Sequence, residues 1–319
     1  MKPSKKFSDT KIPLDPENKN FLSDLVERLI TKNEMLVHRA DWDPHFQLLP
    51  SKEVTLSIIE ELKAVLFPGY FGPSELPIQN LHFHVGATLD TLQRELAEQI
   101  RRGLCFSCSH EKECLKCNNI SYDLTKNFLA KLPDIQKKAA KDVLAAYNGD
   151  PAASSPGETI FCYPGVTAIT SYRLANALFN LDVPLLPRMI TEHAHSTTGI
   201  DIHPGATIGE GFFIDHGTGV VIGETCIIGN NVRLYQGVTL GAKSFPLDKK
   251  GNPIKGIPRH PIIEDGVIIY SGATILGRVT IGKNSVIGGN VWLTEDVAAG
   301  SKITQAALQE TLFSQGSGI

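Results

Sequence analysis

The sequence lacks the features that mark membrane proteins and nucleic-acid-binding proteins. No apolar run approaches the ~18–20 residues that a transmembrane helix needs, and the basic N-terminus, residues 1–6, is not followed by the apolar segment of a secretory signal. The net charge is only −3, with both signs interspersed, so no basic stripe is present to bind phosphates. We therefore expect a cytoplasmic protein that binds neither membranes nor nucleic acid.

The second half of the chain instead carries an aliphatic residue at nearly every sixth position, often followed by glycine. These positions are Ile202, Ile208, Ile214, Ile222, Ile228, Leu234, Leu240, Ile263, Ile269, Ile275, Ile281, Ile287 and Leu293. Each hexad is typical of one short strand and a turn, and three hexads close one triangular coil of a parallel β-helix. Thirteen hexads give enough coils to bury a continuous core. Crossover rules favour a right-handed coil, but strict hexapeptide repeats resemble the left-handed β-helix, and we predict that hand.

The repeat divides the chain into regions of different character. Residues 1–199 show helical periodicity, with six or seven helices expected and one of them beginning at Pro133. Residues 200–300 carry the repeat, with an excursion over 242–262, and residues 301–319 form a C-terminal tail. The predicted fold class is therefore α+β, with an α-helical oligomerisation domain followed by a left-handed parallel β-helix.

Four of the six cysteines fall within thirteen positions, as Cys105, Cys108, Cys114 and Cys117. Two Cys-x-x-Cys pairs suit a tetrahedral structural zinc, and a cytosolic setting favours metal over disulfide. The alternative, two turns that carry reduced thiols, stays open. Four thiolates would fill the coordination sphere, so a catalytic metal is disfavoured at this cluster.

The repeat is interrupted twice, and each interruption carries a histidine. Ile214 to Ile222 spans eight residues and includes His216, whereas the long excursion ends at His260. Departures from the repeat are where function is expected in a solenoid. Asp201 lies fifteen residues before His216, close to one coil, so we predict that they meet as a general-base dyad. The alternative is a surface histidine beside an unrelated aspartate.

Short motifs around these interruptions resemble the serine acetyltransferase family. They are DIHPGA at 201–206, IDHGTG at 214–219, VIGET at 221–225, VTLG at 238–241 and RHP at 259–261, with DPAA at 150–153, YPG at 163–165 and YRLAN at 172–176 upstream. The similarity is strong over residues 150–300 and loose before them. As a combination these motifs are far more specific than the hexapeptide repeat, which many acyltransferases share.

The resemblance implies transfer of an acetyl group from acetyl-CoA to the hydroxyl of L-serine. The products are O-acetyl-L-serine and CoA, in the first step of cysteine synthesis from serine. An aliphatic hydroxyl is a poor nucleophile at neutral pH, so a base must remove its proton during the attack. By resemblance His216 is that base, and Asp201 orients it.

The same resemblance assigns the contacts to the serine substrate. Arg259 is expected to bind the carboxylate as a bidentate partner, Asp150 and Asp215 to bind the ammonium, and His260 to complete the polar pocket. Glu224 has two interpretations that stay open, a support for these residues or an ordinary turn residue.

The resemblance also predicts where acetyl-CoA binds and how the subunits assemble. The extended CoA arm is expected against Gly241, Ala242, Ser271 and Gly289, where small residues permit close approach. In this family the site lies between two prisms of a trimer, so we expect a homotrimer or a dimer of trimers.

Two further partners follow from the resemblance. Cysteine is expected to act as a feedback inhibitor, because it differs from serine only in its side-chain thiol. The family's C-terminus often ends in Gly-Ile, and that isoleucine enters the active site of O-acetylserine sulfhydrylase; Ile319 is the matching residue here, on a tether of small residues.

Three rival functions stay open at this stage. Another hexapeptide acetyltransferase would act on a sugar or a xenobiotic, and would not need both Asp150 and Arg259 to recognise an amino acid. A zinc enzyme similar to the γ-class carbonic anhydrases needs three converging histidines, for which only His203, His216 and His260 are available. A non-catalytic β-helix leaves both histidine-bearing interruptions unexplained.

Overall fold

The computed structural model describes residues 16–30, 49–107, 115–244 and 246–305. The chain divides into two compact units, Met1–Phe46 and Gln47–Ile319. In the first unit, helix α1 (Pro16–Ile30) carries one exposed ion pair between Arg28 and Asp24 at 3.6 Å.

Helices form the first part of the second unit. They are α2 (Lys52–Leu66), a 3-10 turn (Ile78–Asn80), α3 (Leu81–Ser107), α4 (Leu115–Leu129), α5 (Leu132–Gly149), α6 (Pro156–Cys162), α7 (Pro164–Phe179) and α8 (Leu186–Thr198). With α1, the described residues contain eight α-helices, more than the six or seven predicted. One reason is that Pro164 begins α7 only one residue after α6 has ended, because proline fits the first turn of a helix but not its interior.

The β-helix begins where α8 ends at Gly199, a left-handed cap with φ 72°. Its strands among the described residues are β1 (Asp201–Ile202), β2 (Thr207–Ile208), β3 (Phe213–Ile214), β4 (Val221–Ile222), β5 (Ile227–Ile228), β6 (Arg233–Leu234), β7 (Thr239–Gly241), β8 (Ile262–Ile263), β9 (Ile268–Ile269), β10 (Thr274–Leu276), β11 (Thr280–Ile281), β12 (Val286–Ile287), β13 (Trp292–Leu293) and β14 (Lys302–Ile303). They form three parallel sheets in the orders β1-β4-β7-β10-β13, β11-β8-β5-β2 and β14-β12-β9-β6-β3. The fold is the predicted left-handed parallel β-helix.

The repeating aliphatic residues fill the interior of this prism. Ile202 pairs with Ile222, and Leu240 with Ile275, so each inward side chain lies on the one a coil away. All four are at most 2% exposed. Full burial of such a side chain contributes about 1.5–3 kcal/mol, which makes the stack the main source of stability for the prism.

Both interruptions sit in corners and leave this stacking intact. Twenty residues separate Asp201 from its pairing partner Val221, whereas eighteen separate Val221 from Thr239. The two extra residues lie in the corner that contains His216, whose backbone is left-handed with φ 56°. Asp201 is therefore in register with Val221, and His216 lies in the corner that precedes Val221 on the adjacent coil.

The β-helix also continues past the predicted end of the repeat. Strand β14 pairs with β12 through Val286 and Lys302, inside the segment that the sequence assigned to a tail. The six-residue period hides this strand because Val297, which bridges to Ile281, follows Leu293 after only four residues. Residues 306–319, including Ile319, lie outside the described residues. None of the described helices has the length and apolar content to cross a membrane.

Candidate active site

Two edges of the prism carry the candidate site residues. The first, which we call the His216 edge, joins the third sheet to the first through corners 215–220, 235–238, 270–273 and 288–291. The second, the Arg259 edge, joins the first sheet to the second. Its corners are 203–206, 223–226 and 277–279, together with the excursion 242–261.

On the His216 edge, an imidazole and a carboxylate are adjacent. Asp215 Oδ1 lies 3.5 Å from His216 Nδ1, and the two side chains are 13% and 68% exposed, respectively. The Asp215 backbone N–H donates to the Leu234 carbonyl at 2.9 Å, which fixes the corner to the next coil. The imidazole is thus presented to solvent from a rigid backbone.

Asp150 brings a second carboxylate to this group from the end of α5. Its Oδ2 accepts a hydrogen bond from the Tyr163 hydroxyl at 2.5 Å, and its Oδ1 accepts one from the Ala152 N–H at 2.8 Å. These bonds, with a smaller contribution from the charge of His216, lower the pKa of Asp150. The same carboxylate raises the pKa of Tyr163 to about 12, and the charge of Asp215 acts in the same direction. The result is a group of acidic side chains beside an exposed histidine.

Asp201 lies near this group but does not touch the histidine. Its backbone N–H donates to Val220 at 2.9 Å, and Gly219 donates to Gly199 at 2.8 Å, so Asp201 and the His216 corner occupy adjacent coils. No hydrogen bond or ion pair joins Asp201 to His216 in the described part of the chain. The predicted dyad is therefore close in position but unformed, and Asp215 is the carboxylate beside the ring.

On the Arg259 edge, a guanidinium is held by a carboxylate. Arg259 Nη2 donates to Glu224 Oε2 at 2.7 Å, and Nη1 donates to the Ile257 carbonyl at 3.3 Å. Although burial opposes it, the bond from Arg259 lowers the pKa of Glu224. Of the two interpretations left open for Glu224, this contact favours a supporting role.

His260 packs beside Arg259 in a slot that a glycine provides. Its ring is 7% exposed, and a Cβ on Gly223 would lie 2.1 Å from its Cδ2 atom. Any side chain at Gly223 would therefore displace the imidazole. Burial, assisted by the charge of Arg259, lowers the pKa of His260 to about 4, so the ring is neutral at neutral pH.

The four residues expected to contact CoA divide between the same two edges. Ser271 and Gly289 stack on the His216 edge, where a Cβ on Gly289 would lie 3.2 Å from the Ser271 carbonyl oxygen. Gly241 ends β7 on the Arg259 edge, and Ala242 follows it into the excursion. Within one chain, the predicted serine-binding residues are thus divided between the two edges, and so are the predicted CoA-binding residues.

Comparison with known proteins identifies the family. The family model described as bacterial transferase hexapeptide (six repeats) matches residues 260–295. A protein of Synechococcus elongatus described as "Serine acetyltransferase, plasmid" is 54% identical over 278 residues, which cover 86% of this chain and 87% of that protein. The chain belongs to the serine acetyltransferase family.

Solved serine acetyltransferases share the fold. Serine acetyltransferase 1 of Entamoeba histolytica, in complex with L-cysteine, superposes with a TM-score of 0.69 at 32% identity and covers 90% of this chain and 97% of its own. The Neisseria gonorrhoeae serine acetyltransferase in complex with serine gives a TM-score of 0.51 at 26% identity, covering 85% and 98%. The likeness therefore extends through the helical region as well as the prism.

Sequence reasoning did not assign roles to two residues that hold the site of this serine acetyltransferase together. Tyr163 lies in the YPG motif, but nothing in the sequence indicates that its hydroxyl reaches Asp150. Thr225 bonds the backbone of Arg259, thirty-four positions away. Both contacts depend on how the chain folds back, although both residues stand inside motifs that carried the family resemblance.

The cysteine cluster gives no support for zinc. Cys105 and Cys117 are buried, whereas Cys108 and Cys114 lie outside the described residues. Within the described ranges, no group of three or more metal-ligating side chains is present. The structural zinc is therefore unsupported.

Proposed function

We propose that the protein transfers the acetyl group of acetyl-CoA to the hydroxyl of L-serine and thereby produces O-acetyl-L-serine and CoA. The observation that carries this proposal is the pairing of two charge patterns that suit an amino acid. Asp150 and Asp215 place two carboxylates near His216 and fit an ammonium group, and Arg259 fits a carboxylate. Membership of the serine acetyltransferase family supports the same acceptor.

The reaction needs one base and one acid. The serine Oγ attacks the thioester carbonyl while His216 takes its proton, and the carbonyl becomes a tetrahedral oxyanion. Collapse breaks the carbon–sulfur bond, and the departing CoA thiolate takes the proton back from His216. We assign Asp201 as the carboxylate that orients the ring during this cycle. The His216 side chain is 68% exposed, so it has room to turn from Asp215 towards Asp201.

A thiol-release assay with acetyl-CoA and a panel of acceptors tests the reaction. Serine is expected to give the highest kcat/KM, ahead of homoserine and a galactoside, because a longer or uncharged acceptor misplaces the hydroxyl or leaves the charged groups unpaired. A clear preference for the galactoside would favour a sugar acetyltransferase. Homoserine as the best acceptor would show that the substrate assignment is wrong.

The carbonic-anhydrase alternative is disfavoured by where the histidines lie. His203 and His260 both occupy the Arg259 edge, where burial and nearby positive charge, including Arg259, lower the pKa of each. The same guanidinium would oppose a zinc ion between them.

Arg259 provides a direct test of amino-acid recognition. Arg259→Ala is expected to weaken serine and cysteine together, by about tenfold to a hundredfold, because a hydrogen bond to a charged group contributes about 1.5–3 kcal/mol. Glu224, freed from its ion pair, would also repel the carboxylate of the bound amino acid. Initial rates over a serine range, and inhibition by cysteine, measure both affinities. The KM for acetyl-CoA should change by less than about twofold.

A matched arginine variant controls for loss of charge alone. Arg94→Ala removes an exposed arginine of α3 that pairs with Asp90, and it should leave both affinities unchanged. Loss of serine binding with undiminished cysteine inhibition would point to a separate regulatory site, because a shared pocket cannot lose one ligand and keep the other.

We infer that two copies of the chain build each active site. The His216 edge and the Arg259 edge are different corners of one prism, and both substrates have expected contacts on each. Placing the His216 edge of one copy against the Arg259 edge of the next unites both sets, and a closed ring of three copies repeats this contact. A homotrimer, alone or paired, is therefore our proposed assembly.

Mixing two inactive variants tests the shared site. Co-expressed His216→Ala and Arg259→Ala subunits should recover about a quarter of wild-type activity at low serine, because random mixing in a ring of heterologous contacts leaves that share of sites intact. Activity is measured on the purified mixture against each variant alone. If the mixture is no more active than the variants, each site lies within one copy.

Three expectations remain proposals. Cysteine inhibition is supported by the L-cysteine bound in the Entamoeba histolytica relative. Docking of Ile319 into O-acetylserine sulfhydrylase falls on residues outside the described ranges and stays a prediction. A cytoplasmic location is likewise a prediction from the sequence.

A further inference from the structure

Thr225 contacts Arg259 and His260, the two residues of the Arg259 edge that are proposed to bind serine. Its hydroxyl Oγ1 accepts hydrogen bonds from the backbone N–H groups of Arg259 at 2.9 Å and His260 at 3.1 Å. Its own carbonyl accepts a bond from Arg278 Nη1 at 2.7 Å, and the same guanidinium atom donates to the His260 carbonyl at 3.0 Å. The end of the long excursion is thus tied to the preceding coil by the Thr225 hydroxyl and by the guanidinium of Arg278.

The hydrogen-bonding capacity of a hydroxyl decides where its hydrogen points. A threonine hydroxyl has two acceptor lone pairs and one donor hydrogen. Both lone pairs of Thr225 Oγ1 are taken by backbone N–H groups, so the hydrogen is left to donate. Its remaining neighbour is His260 Nδ1, at 2.9 Å.

These contacts also determine which ring nitrogen of His260 carries the proton. The backbone N–H of Thr225 donates to His260 Nδ1 at 3.1 Å, and a backbone N–H can only donate. Nδ1 is therefore an acceptor, and the main-chain N–H and the hydroxyl of Thr225 share its single lone pair in a three-centre hydrogen bond. In a neutral imidazole the hydrogen must then sit on Nε2. The burial and nearby positive charge that lower the pKa of His260 to about 4 keep the ring in that neutral form.

We propose that Thr225 is a positioning residue for the acceptor site. It fixes the backbone of Arg259 and His260 against the preceding coil and selects the Nε2–H tautomer of His260. His260 thereby offers the substrate a neutral hydrogen-bond donor, while Arg259 is held where it meets the carboxylate. This inference rests on the proposed function, because it assigns Thr225 a part in binding serine.

Two variants of Thr225 separate positioning from stability. Thr225→Val keeps the shape and removes the hydroxyl, whereas Thr225→Ser keeps the hydroxyl. The valine variant is expected to raise the KM for serine by about fivefold to fiftyfold, the range expected when buried N–H groups lose their acceptor. The KM for acetyl-CoA should change by less than about twofold. The serine variant should restore the KM for serine to within about threefold of wild type.

A matched substitution controls for the change of threonine to valine. Thr207 points outward from β2, one coil below Ile227, and is exposed. Thr207→Val should leave both KM values unchanged. A Thr225→Val protein with the wild-type KM for serine overturns the proposal, as does a Thr225→Ser protein that is as impaired as the valine variant.

A measurement without turnover separates this inference from the proposed function. Nitrogen-15 NMR of the histidine rings in the unmodified protein reports the His260 tautomer, whatever the enzyme acetylates. A protonated Nε2 with an unprotonated Nδ1 supports the proposal. This result holds even if the Thr225→Val variant fails to fold. A protonated Nδ1 overturns it. If the unmodified protein releases no thiol with serine, the proposed function fails and the assigned role in serine binding fails with it, whereas the tautomer result stands.

Discussion

Replacing His216 with alanine is expected to lower kcat by about two to four orders of magnitude, the range that removal of a general base gives. The reason is that the other ionisable side chains described beside it are carboxylates and a phenol, which are not bases of suitable strength at neutral pH. Asp150 has a lowered pKa and Tyr163 a raised one, so the first is too weak a base and the second stays protonated. Acetyl-CoA affinity should stay near normal, because in the proposed reaction His216 contacts the reacting hydroxyl and not the CoA arm.

His195 provides the matched control for this substitution. It is an exposed histidine of α8 that lies 3.6 Å from Glu192, and His195→Ala should retain full activity. Initial rates with saturating acetyl-CoA measure kcat for both variants. If His216→Ala retains more than about a tenth of the wild-type kcat, the assignment of the base is wrong.

Two aspartate variants then decide which carboxylate orients the ring. Asp201→Asn should lower kcat with little change in the KM for serine, as expected for a residue that acts through His216. Asp215→Asn should mainly raise the KM for serine, as expected for a partner of the ammonium. The reverse pattern would transfer the orienting role to Asp215, which is the nearer carboxylate in the described chain.

Removing Asp142 is expected to lower the free energy of unfolding by about 3–5 kcal/mol, the cost of leaving a buried charge without its partner. Asp142 on α5 pairs with Arg173 on α7, and the two side chains are 1% and 4% exposed. Arg173 Nη2 also donates to the Gly209 carbonyl at 2.8 Å, and the Phe212 N–H donates to Asp142 Oδ1 at 2.9 Å. This pair therefore joins the helices to the first coil of the prism.

A neighbouring exposed ion pair, which also joins α5 to the prism, offers a control. Lys141, also on α5, pairs with Glu210 in the same corner region, and the side chains are 54% and 40% exposed. Lys141→Ala should cost at most about 1 kcal/mol, because solvent screens the pair. Urea unfolding compares Asp142→Ala with Lys141→Ala. A loss below about 1 kcal/mol for Asp142→Ala would show that the buried pair adds no stability.

The prism was predictable because its determinants are local in sequence. A strict period places one aliphatic residue inward per hexad, and stacking then fixes the register, as in the pairing of Ile228 with Ile263 across the excursion. The last strand was missed because Val297 breaks the period. A six-residue period cannot predict the shortened corner between Leu293 and Val297.

The site was predictable as a set of residues but not as an arrangement. Motifs indicated His216 and Arg259, and departures from the repeat marked both. Their separation onto two edges depends on which corner each interruption occupies. The bonds of Tyr163 and Thr225 depend on contacts between distant segments, for which a single sequence has no signal.

The long excursion has a consequence for how this protein tolerates change. Leu240 precedes it and Ile263 follows it, yet Leu240 pairs with Ile275 in the register that an uninterrupted coil would give. The prism is thus indifferent to the length of chain between those two residues, and each doubling of a flexible loop costs only about 0.6 kcal/mol in closure entropy. Insertions and deletions there can change the surroundings of Arg259 without changing the register of the coils, so the proposed acceptor site and the fold can evolve separately.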